Sequence, residues 1–249
     1  MGAYLMKRKL IALCLLPLMA FAQWEMDFDE DFAAAVASGA WSPLELSPMA
    51  WYRGDGNAND SSGNNRHGFW EGTASYTNGV NGMAFTGFST ANWVSSEGGM
   101  FHSITGTAAF TVCAWVKPYS YVHYGWVFGL SDFHDVRHVN LTNGPHFSTF
   151  TSLGQVFNNI ILLPGETGHL AISRSNNVMR GYYNAALIYT HTFSGFANYT
   201  GAATAPIGIG RGYAESTLRT PFNGYVDDYM VFDRALTTDE ITQIYEWRE

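Results

Sequence analysis

From position 49 onward the chain runs in short stretches where hydrophobic and polar residues alternate, separated by Gly, Asn and Ser. That period of two marks strands with one face turned inward. Strands are predicted at 49–53, 82–85, 92–95, 109–117, 126–130, 136–141, 146–150, 155–162, 168–174, 178–184, 186–192 and 205–210. A final strand follows at 225–232. So many strands at this spacing, with helix only at the end, predict an all-β chain of two packed antiparallel sheets. In the final strand Val226, Asp228, Met230 and Phe232 alternate with Tyr225, Asp227, Tyr229 and Val231. Regular alternation sends the two aspartates to opposite faces, leaving one carboxylate near the interior, where it needs a cation or several donors. Thr237, with Glu240 three residues on, is a capping box that opens a short closing helix.

The first 22 residues follow a different pattern. A basic start (Lys7, Arg8, Lys9), an apolar run from Leu10 to Phe21 and small residues at Ala20 and Ala22 predict a signal peptide cut after Ala22. The run is too short for an anchor and no second one follows, so the expectation is a secreted protein, extracellular or periplasmic, without membrane insertion after cleavage. Ile11 to Cys14 only approximates a lipoprotein signal, lacking the small residue before the cysteine. Residues 23–48 read as an acidic, alanine-rich tail and then an extended lead-in with two prolines. Residues 49–249 read as one domain.

Composition removes several classes of function. The chain carries a net charge of −8, and the leader holds three of its 13 basic residues and none of its 21 acidic ones. The mature chain is more acidic still, which excludes nucleic acid as a partner, since phosphate binding needs basic surface. Cys113 is left without an intrachain partner once Cys14 goes, and within FTVCAWV it reads as a small buried hydrophobe.

Few motifs carry chemistry. Glu25-Met-Asp27-Phe-Asp-Glu30 matches the Glu-x-Asp-x-x-Glu pattern of laminarinase-type hydrolases, but it follows the cleavage site directly and reads as a solvated tail. Neither a Gly-x-Ser-x-Gly elbow nor a second carboxylate strand is present, so no enzyme is expected. Arg53-Gly54-Asp55 spells the integrin tripeptide at a strand end and reads as a turn. His134 and His138 share a strand face about 13 Å apart, too far for one zinc ion. The loop 54–68, GDGNANDSSGNNRHG, is crowded with oxygens that suit calcium, yet it fails as an EF-hand: Asp60 replaces the turn glycine and Arg66 the bidentate Glu. Tyr119, Tyr121, Tyr124 and Trp126 cluster after Pro118, with Trp70, Tyr182, Tyr199 and Tyr213 near other predicted turns. Flat aromatic faces stack on sugar rings, which makes the 119–126 loop the candidate ligand-binding rim.

Four blocks, in order, resemble the LamG-like (laminin G-like) members of the concanavalin A-like lectin/glucanase superfamily. They are Asp60-Ser-Ser-Gly63-Asn with His67-Gly68; Phe110-Thr-Val-Cys-Ala-Trp-Val-Lys-Pro118; His169-Leu-Ala-Ile-Ser with Tyr183-Asn184; and Gly224-Tyr-Val-Asp227-Asp228 with Asp233-Arg-Ala-Leu236. The resemblance spans about 50–245 and implies a jelly-roll sandwich. It also implies a structural calcium ion between the first loop and the last strand, held by Asp60, carbonyls near Asn65, and Asp227, with Asp228 as the alternative carboxylate. Its members bind sugars, bind proteins or serve structure. The expectation is therefore a non-catalytic module for a glycan or extracellular polysaccharide, the alternative being a cell-surface protein in adhesion or an envelope or matrix.

Overall fold

A computed structural model describes residues 41–97, 109–122, 125–130, 134–141, 144–151, 154–160, 162–192, 206–211 and 220–248. The predicted signal peptide, the 23–40 part of the tail, Tyr124, Tyr199 and Tyr213 lie outside the described residues.

The described residues open on a 3-10 turn, Pro43–Leu46, where the sequence suggested an extended lead-in. Ser42 caps Leu44 N–H, Glu45 reaches back to Ser42 N–H, and Pro43 occupies the first turn, where its missing N–H costs nothing. Strands follow in order: β1 (Ala50–Tyr52), β2 (Gly68–Glu71), β3 (Tyr76–Asn78), β4 (Met83–Phe85), β5 (Trp93–Ser96), β6 (Phe110–Pro118), β7 (Gly125–Leu130), β8 (His134–Leu141), β9 (Gly144–Thr151), β10 (Gly154–Ile160), β11 (Gly168–Ser175), β12 (Val178–Tyr183), β13 (Ala186–Thr192), β14 (Ile207–Ile209), β15 (Thr220–Pro221) and β16 (Gly224–Phe232). Among the described residues one α-helix, α1 (Thr238–Glu246), follows the last strand.

Two sheets result. The first has the order β13-β12-β11-β6-β16-β4-β3, with β1 also on β16; the second has the order β10-β9-β8-β7-β14-β5-β2, with β15 beside β7. Every pairing among the described residues is antiparallel except β15 with β7. Two short strands, β2 and β3, were not among those predicted; both lie at sheet edges and neither contains a fully buried residue.

Between the sheets lies the main core, with Tyr52, Phe85, Val94, Val112, Val116, Val127, Leu170, Ile172, Val226, Tyr229 and Val231 among its residues. A second cluster covers the other face of the first sheet. There Trp51, Cys113, Ala171, Tyr182, Met230 and Phe232 pack with Leu236, Ile241 and Ile244. The central strands β6 and β16 are consequently buried on both faces, which explains why their sequences read as near-continuous apolar runs. Helix α1 is fastened where the sequence placed it. Thr237 and Glu240 form the reciprocal cap, and Arg234 grips both Glu240 oxygens at 2.9 and 2.8 Å. Thr111 on β6 ties in the connection, donating to Arg234 O and accepting from Leu236 N–H, both at 2.9 Å.

Candidate binding rim and buried carboxylates

The last strand departs from regular alternation. Asp227 pairs with Trp115 but Met230 pairs with Cys113, so two residues of β16 face a single one of β6. Asp228 sits at the resulting bulge with φ 49°, a left-handed conformation that aspartate tolerates better than most residues. The extra residue changes the parity. Val226, Tyr229 and Val231 all enter the main core, while Met230 and Phe232 turn to the face under α1. Both aspartates join that second face instead of splitting between the two, contrary to the regular alternation expected from the sequence.

The pair is almost fully enclosed, Asp227 at 0% and Asp228 at 2% exposure. Asp227 Oδ2 accepts the Val80 and Asn81 N–H groups at 2.6 and 3.2 Å. Asp228 accepts Trp51 Nε1–H at 2.8 Å and Asn81 Nδ2–H at 2.7 Å. Asn81 thus serves both carboxyls from the β3–β4 turn. Asp227 Oδ1 is buried with no hydrogen-bond partner. Burial, and after it the Asp228 charge, raises the Asp227 pKa, and burial raises that of Asp228.

Asp60 stands elsewhere. Its Oδ1 accepts Trp51 N–H and Ser62 N–H, and its Oδ2 accepts Arg66 N–H, each at 2.9 Å. Burial pushes its pKa up, but these bonds and one from the Ser62 side chain outweigh it, and the net shift is downward. Asn65, exposed at φ 57°, makes the left-handed turn that brings the next amide, that of Arg66, onto Asp60. Asp60 bridges to Tyr52, and Tyr52 pairs on its other side with Tyr229, so β1 runs between Asp60 and the last strand. Two strand spacings are roughly 9.5 Å.

The expected calcium set of Asp60, Asn65, Asp227 and Asp228 therefore does not fit a single ion. Calcium needs six to eight oxygens at about 2.3–2.6 Å around one point. Here β1 separates the carboxylates, and protein donors already occupy every one of their oxygens but Asp227 Oδ1. Hydrogen bonds tie the oxygen-rich loop and the last strand to opposite ends of Trp51: its amide to Asp60 and its indole to Asp228. Asn81, the common donor, escaped the sequence reading; the only signal was a turn-forming Asn-Gly pair at 81–82.

Arg53-Gly54-Asp55 folds on itself. Arg53 pairs with Asp55 at 3.0 Å and lies over the Trp51 ring, Asp55 accepts Met83 N–H, and Gly54 takes φ 84° against β4 backbone where a Cβ would crowd. A tripeptide with both charges engaged internally is a turn, not a presented recognition loop. His134 and His138 lie on one extended strand, which keeps their backbones apart.

The aromatic rim is formed in part. Tyr119 and Tyr121 stand exposed at 45% and 40%. Trp126 does not belong with them: it is 1% exposed within β7, and an enclosed indole presents no face to a sugar. Tyr182 is likewise buried and Trp70 packs against Tyr76 and Phe88. Three loops brace the exposed pair. Tyr119 N–H donates to Asn223 O at 2.8 Å, Asn223 Nδ2–H to Ser120 Oγ at 2.6 Å, and Gly165 N–H to Pro118 O at 2.7 Å. These bonds bring Leu163, 45% exposed, to the neighbouring loop; its N–H donates to Glu166 at 3.1 Å. Asn223 and Leu163 carried no sequence signal, being distant in the chain from the tyrosines.

The family model of the concanavalin A-like lectin/glucanases superfamily matches residues 85–242. No curated protein sequence matches the chain. Among solved structures, domain 4 of AbnA, a GH43 extracellular arabinanase from Geobacillus stearothermophilus in complex with arabinotriose, is similar at 21% identity. The match covers 80% of this chain and 98% of that one, with a TM-score of 0.65. A botulinum neurotoxin type C structure concerned with interaction with two ganglioside molecules is 13% identical, covering 81% of this chain and 51% of that one, TM-score 0.60. The binding domain of botulinum neurotoxin DC with rat synaptotagmin II matches at 13% identity, over 82% and 52%, with the same TM-score. The chain thus spans about half the length of the neurotoxin chains. With the family match extending over more than half of the sequence, the chain belongs to the concanavalin A-like lectin/glucanases superfamily.

Proposed function

We propose that this protein is an exported, non-catalytic carbohydrate-binding module whose ligand rests on Tyr119 and Tyr121. The observation that carries the proposal is a pair of exposed tyrosines held on a braced rim. Exposed aromatics ordinarily cost solubility, and a fixed aromatic surface binds with little entropy loss. Phenol rings stack on the apolar faces of sugar rings, and Asn223 and Ser120 supply polar groups beside them. Similar structures include a domain complexed with arabinotriose and a neurotoxin described with gangliosides, which agrees with a sugar ligand.

A non-catalytic role is supported by where the reactive groups lie. Cys113, His169, Asp227 and Asp228 are all enclosed in the first sheet and its outer cover, away from a substrate. Burial raises the Cys113 thiol, so Cys113 offers no thiolate nucleophile. The leader of basic, apolar and small residues supports export.

Affinity electrophoresis through native gels containing arabinan, laminarin or agarose tests the proposal. The protein is expected to be retarded by at least one polymer. Tyr119→Ala and Tyr121→Ala are each expected to weaken retardation fivefold or more, with unchanged thermal unfolding. Retardation that survives both substitutions together would overturn the site assignment. Release of reducing ends from these polymers would overturn the non-catalytic assignment.

A further inference from the structure

We infer that the rim reads two adjacent free hydroxyls on a sugar ring, through Ser120 and Asn223 acting together, and so takes polysaccharides whose linkage leaves such a pair open. This rests on the carbohydrate proposal above and names its ligand class. The basis is the bond from Asn223 Nδ2–H to Ser120 Oγ at 2.6 Å, which joins the loop of the two exposed tyrosines to the loop before β16. A serine hydroxyl that accepts a hydrogen bond keeps its own proton to give, and an amide that donates one N–H keeps a second N–H and its carbonyl oxygen. The bond therefore fixes a donor and an acceptor side by side. Among the described residues no other hydrogen bond engages either side chain, and Asn223 is exposed while Ser120 is half-buried.

The backbone on both sides of this pair is held. Ser120 sits between Tyr119 and Tyr121, whose rings stand in solvent, and Tyr119 N–H donates to Asn223 O at 2.8 Å. Before Asn223, Phe222 is buried and its N–H donates to Gly210 O at 2.8 Å. After it, Gly224 O accepts the Thr86 hydroxyl at 3.0 Å, and a Cβ at Gly224 would run into Lys117 O and the Phe222 ring. Polar groups positioned in this way lose little freedom on binding. A sugar ring lying flat on a phenol turns its hydroxyls outward around its perimeter. Two neighbouring hydroxyls then meet the polar pair together: one accepts the Ser120 proton and the other donates to Asn223 Oδ1. A lone hydroxyl answers only half of it. Linkage decides which polymers qualify. In debranched arabinan, and in galactan or amylose linked through the fourth carbon, the second and third hydroxyls of each backbone ring are free and adjacent. Laminarin is linked through the third hydroxyl, and agarose is linked or bridged there throughout, so their interior rings keep no adjacent free pair.

The full chain is run by affinity electrophoresis and titrated calorimetrically with debranched arabinan, galactan, amylose, laminarin and agarose. At least one of the first three is expected to bind about tenfold more tightly than laminarin and agarose, with binding lost in Tyr119→Ala and Tyr121→Ala. Ser120→Ala and Asn223→Ala should each shrink that preference severalfold, whereas Ser120→Thr, which keeps the hydroxyl, should retain it. A loosened rim weakens every polymer alike, so the readout is the ratio between the two groups of polymers and not the affinity for one. Tyrosine-dependent binding of laminarin or agarose that equals or exceeds binding of the other three overturns the inference while leaving the carbohydrate proposal standing. A preference that survives Ser120→Ala and Asn223→Ala together also overturns it, because the discrimination then lies elsewhere. Failure of every polymer to bind, or binding indifferent to the tyrosines, removes the proposed site and the inference with it.

Discussion

Asn81 is the residue on which the interior polar contacts of the first sheet converge. Its side chain donates to Asp228 and its backbone to Asp227, both almost fully buried. Replacement by alanine leaves a buried carboxyl oxygen without its donor, at a cost of about 2 kcal/mol or more. Urea unfolding of Asn81→Ala is expected to show that loss, while glycan binding of the folded fraction stays normal. The two aspartates also set the response to pH. Their folded pKa values are raised, chiefly by burial, so the folded state holds more protons than the unfolded chain above the ordinary carboxylate value of about 3.9. Stability from this pair is therefore greatest at low pH and is lost as pH rises through those values. His169 acts in the opposite sense. Burial, and then Arg248, pushes it down to about 3, so its contribution is complete above the unfolded value of about 6.5 and is lost as pH falls from there toward 3. Between pH 6.5 and 8.5 His169 no longer contributes, and the contribution of the carboxyl pair should decline. Asp227→Asn, a neutral isostere of the protonated acid, should flatten the decline; wild-type stability that is level or rising over this interval would contradict the assignment. A carboxylate near the interior was legible in the chain, but its donor Asn81 was not, because residues 81 and 227 meet only after β3, β4 and β16 pair.

At the scale of elements, local sequence rules held wherever one stretch of chain decides the outcome. The capping box at Thr237 and Glu240 forms as written, and α1 lays Ile241 and Ile244 on the outer cluster. Thr237→Ala should cost about 1 kcal/mol by loss of the cap, measured as a fall in the urea midpoint. The effect should stay local to the outer cover, leaving binding at the rim unchanged. Similar local rules at Ser42 and Glu45 went unread, since two prolines in eight residues suggested extended chain. The bulge at Asp228 is the larger departure. Alternation alone places Asp227 and Asp228 on opposite faces, and only the paired register with β6 reveals the inserted residue that unites them. The same limit governs Trp126. An aromatic beside a tyrosine-rich loop resembles a binding residue, yet it lies inside β7 and is almost fully buried.

At the scale of the whole molecule, the two sheets are joined by a large apolar core, and the described hydrogen bonds tie loop to strand through Trp51. Addition of EDTA is expected to leave the unfolding temperature unchanged, and added calcium to raise it by less than about a degree. A rise of several degrees with calcium would show that Asp227 Oδ1 and its neighbours rearrange around a cation. Glycan binding, by contrast, should raise the unfolding temperature as polymer concentration exceeds the dissociation constant.

The sequence by itself determined the all-β class, the two-sheet sandwich, the closing helix and the family. These follow from repeated local signals, the period of two, the turn residues and the cap, each summed over many positions. The tertiary structure decided which carboxylates meet, which aromatics remain in solvent and which loops brace them. Those outcomes depend on register and on contacts between segments more than a hundred residues apart, such as Asn81 with Asp228 and Ser120 with Asn223. A single inserted residue in a strand reverses the face of everything beyond it, and composition carries no record of where that insertion falls.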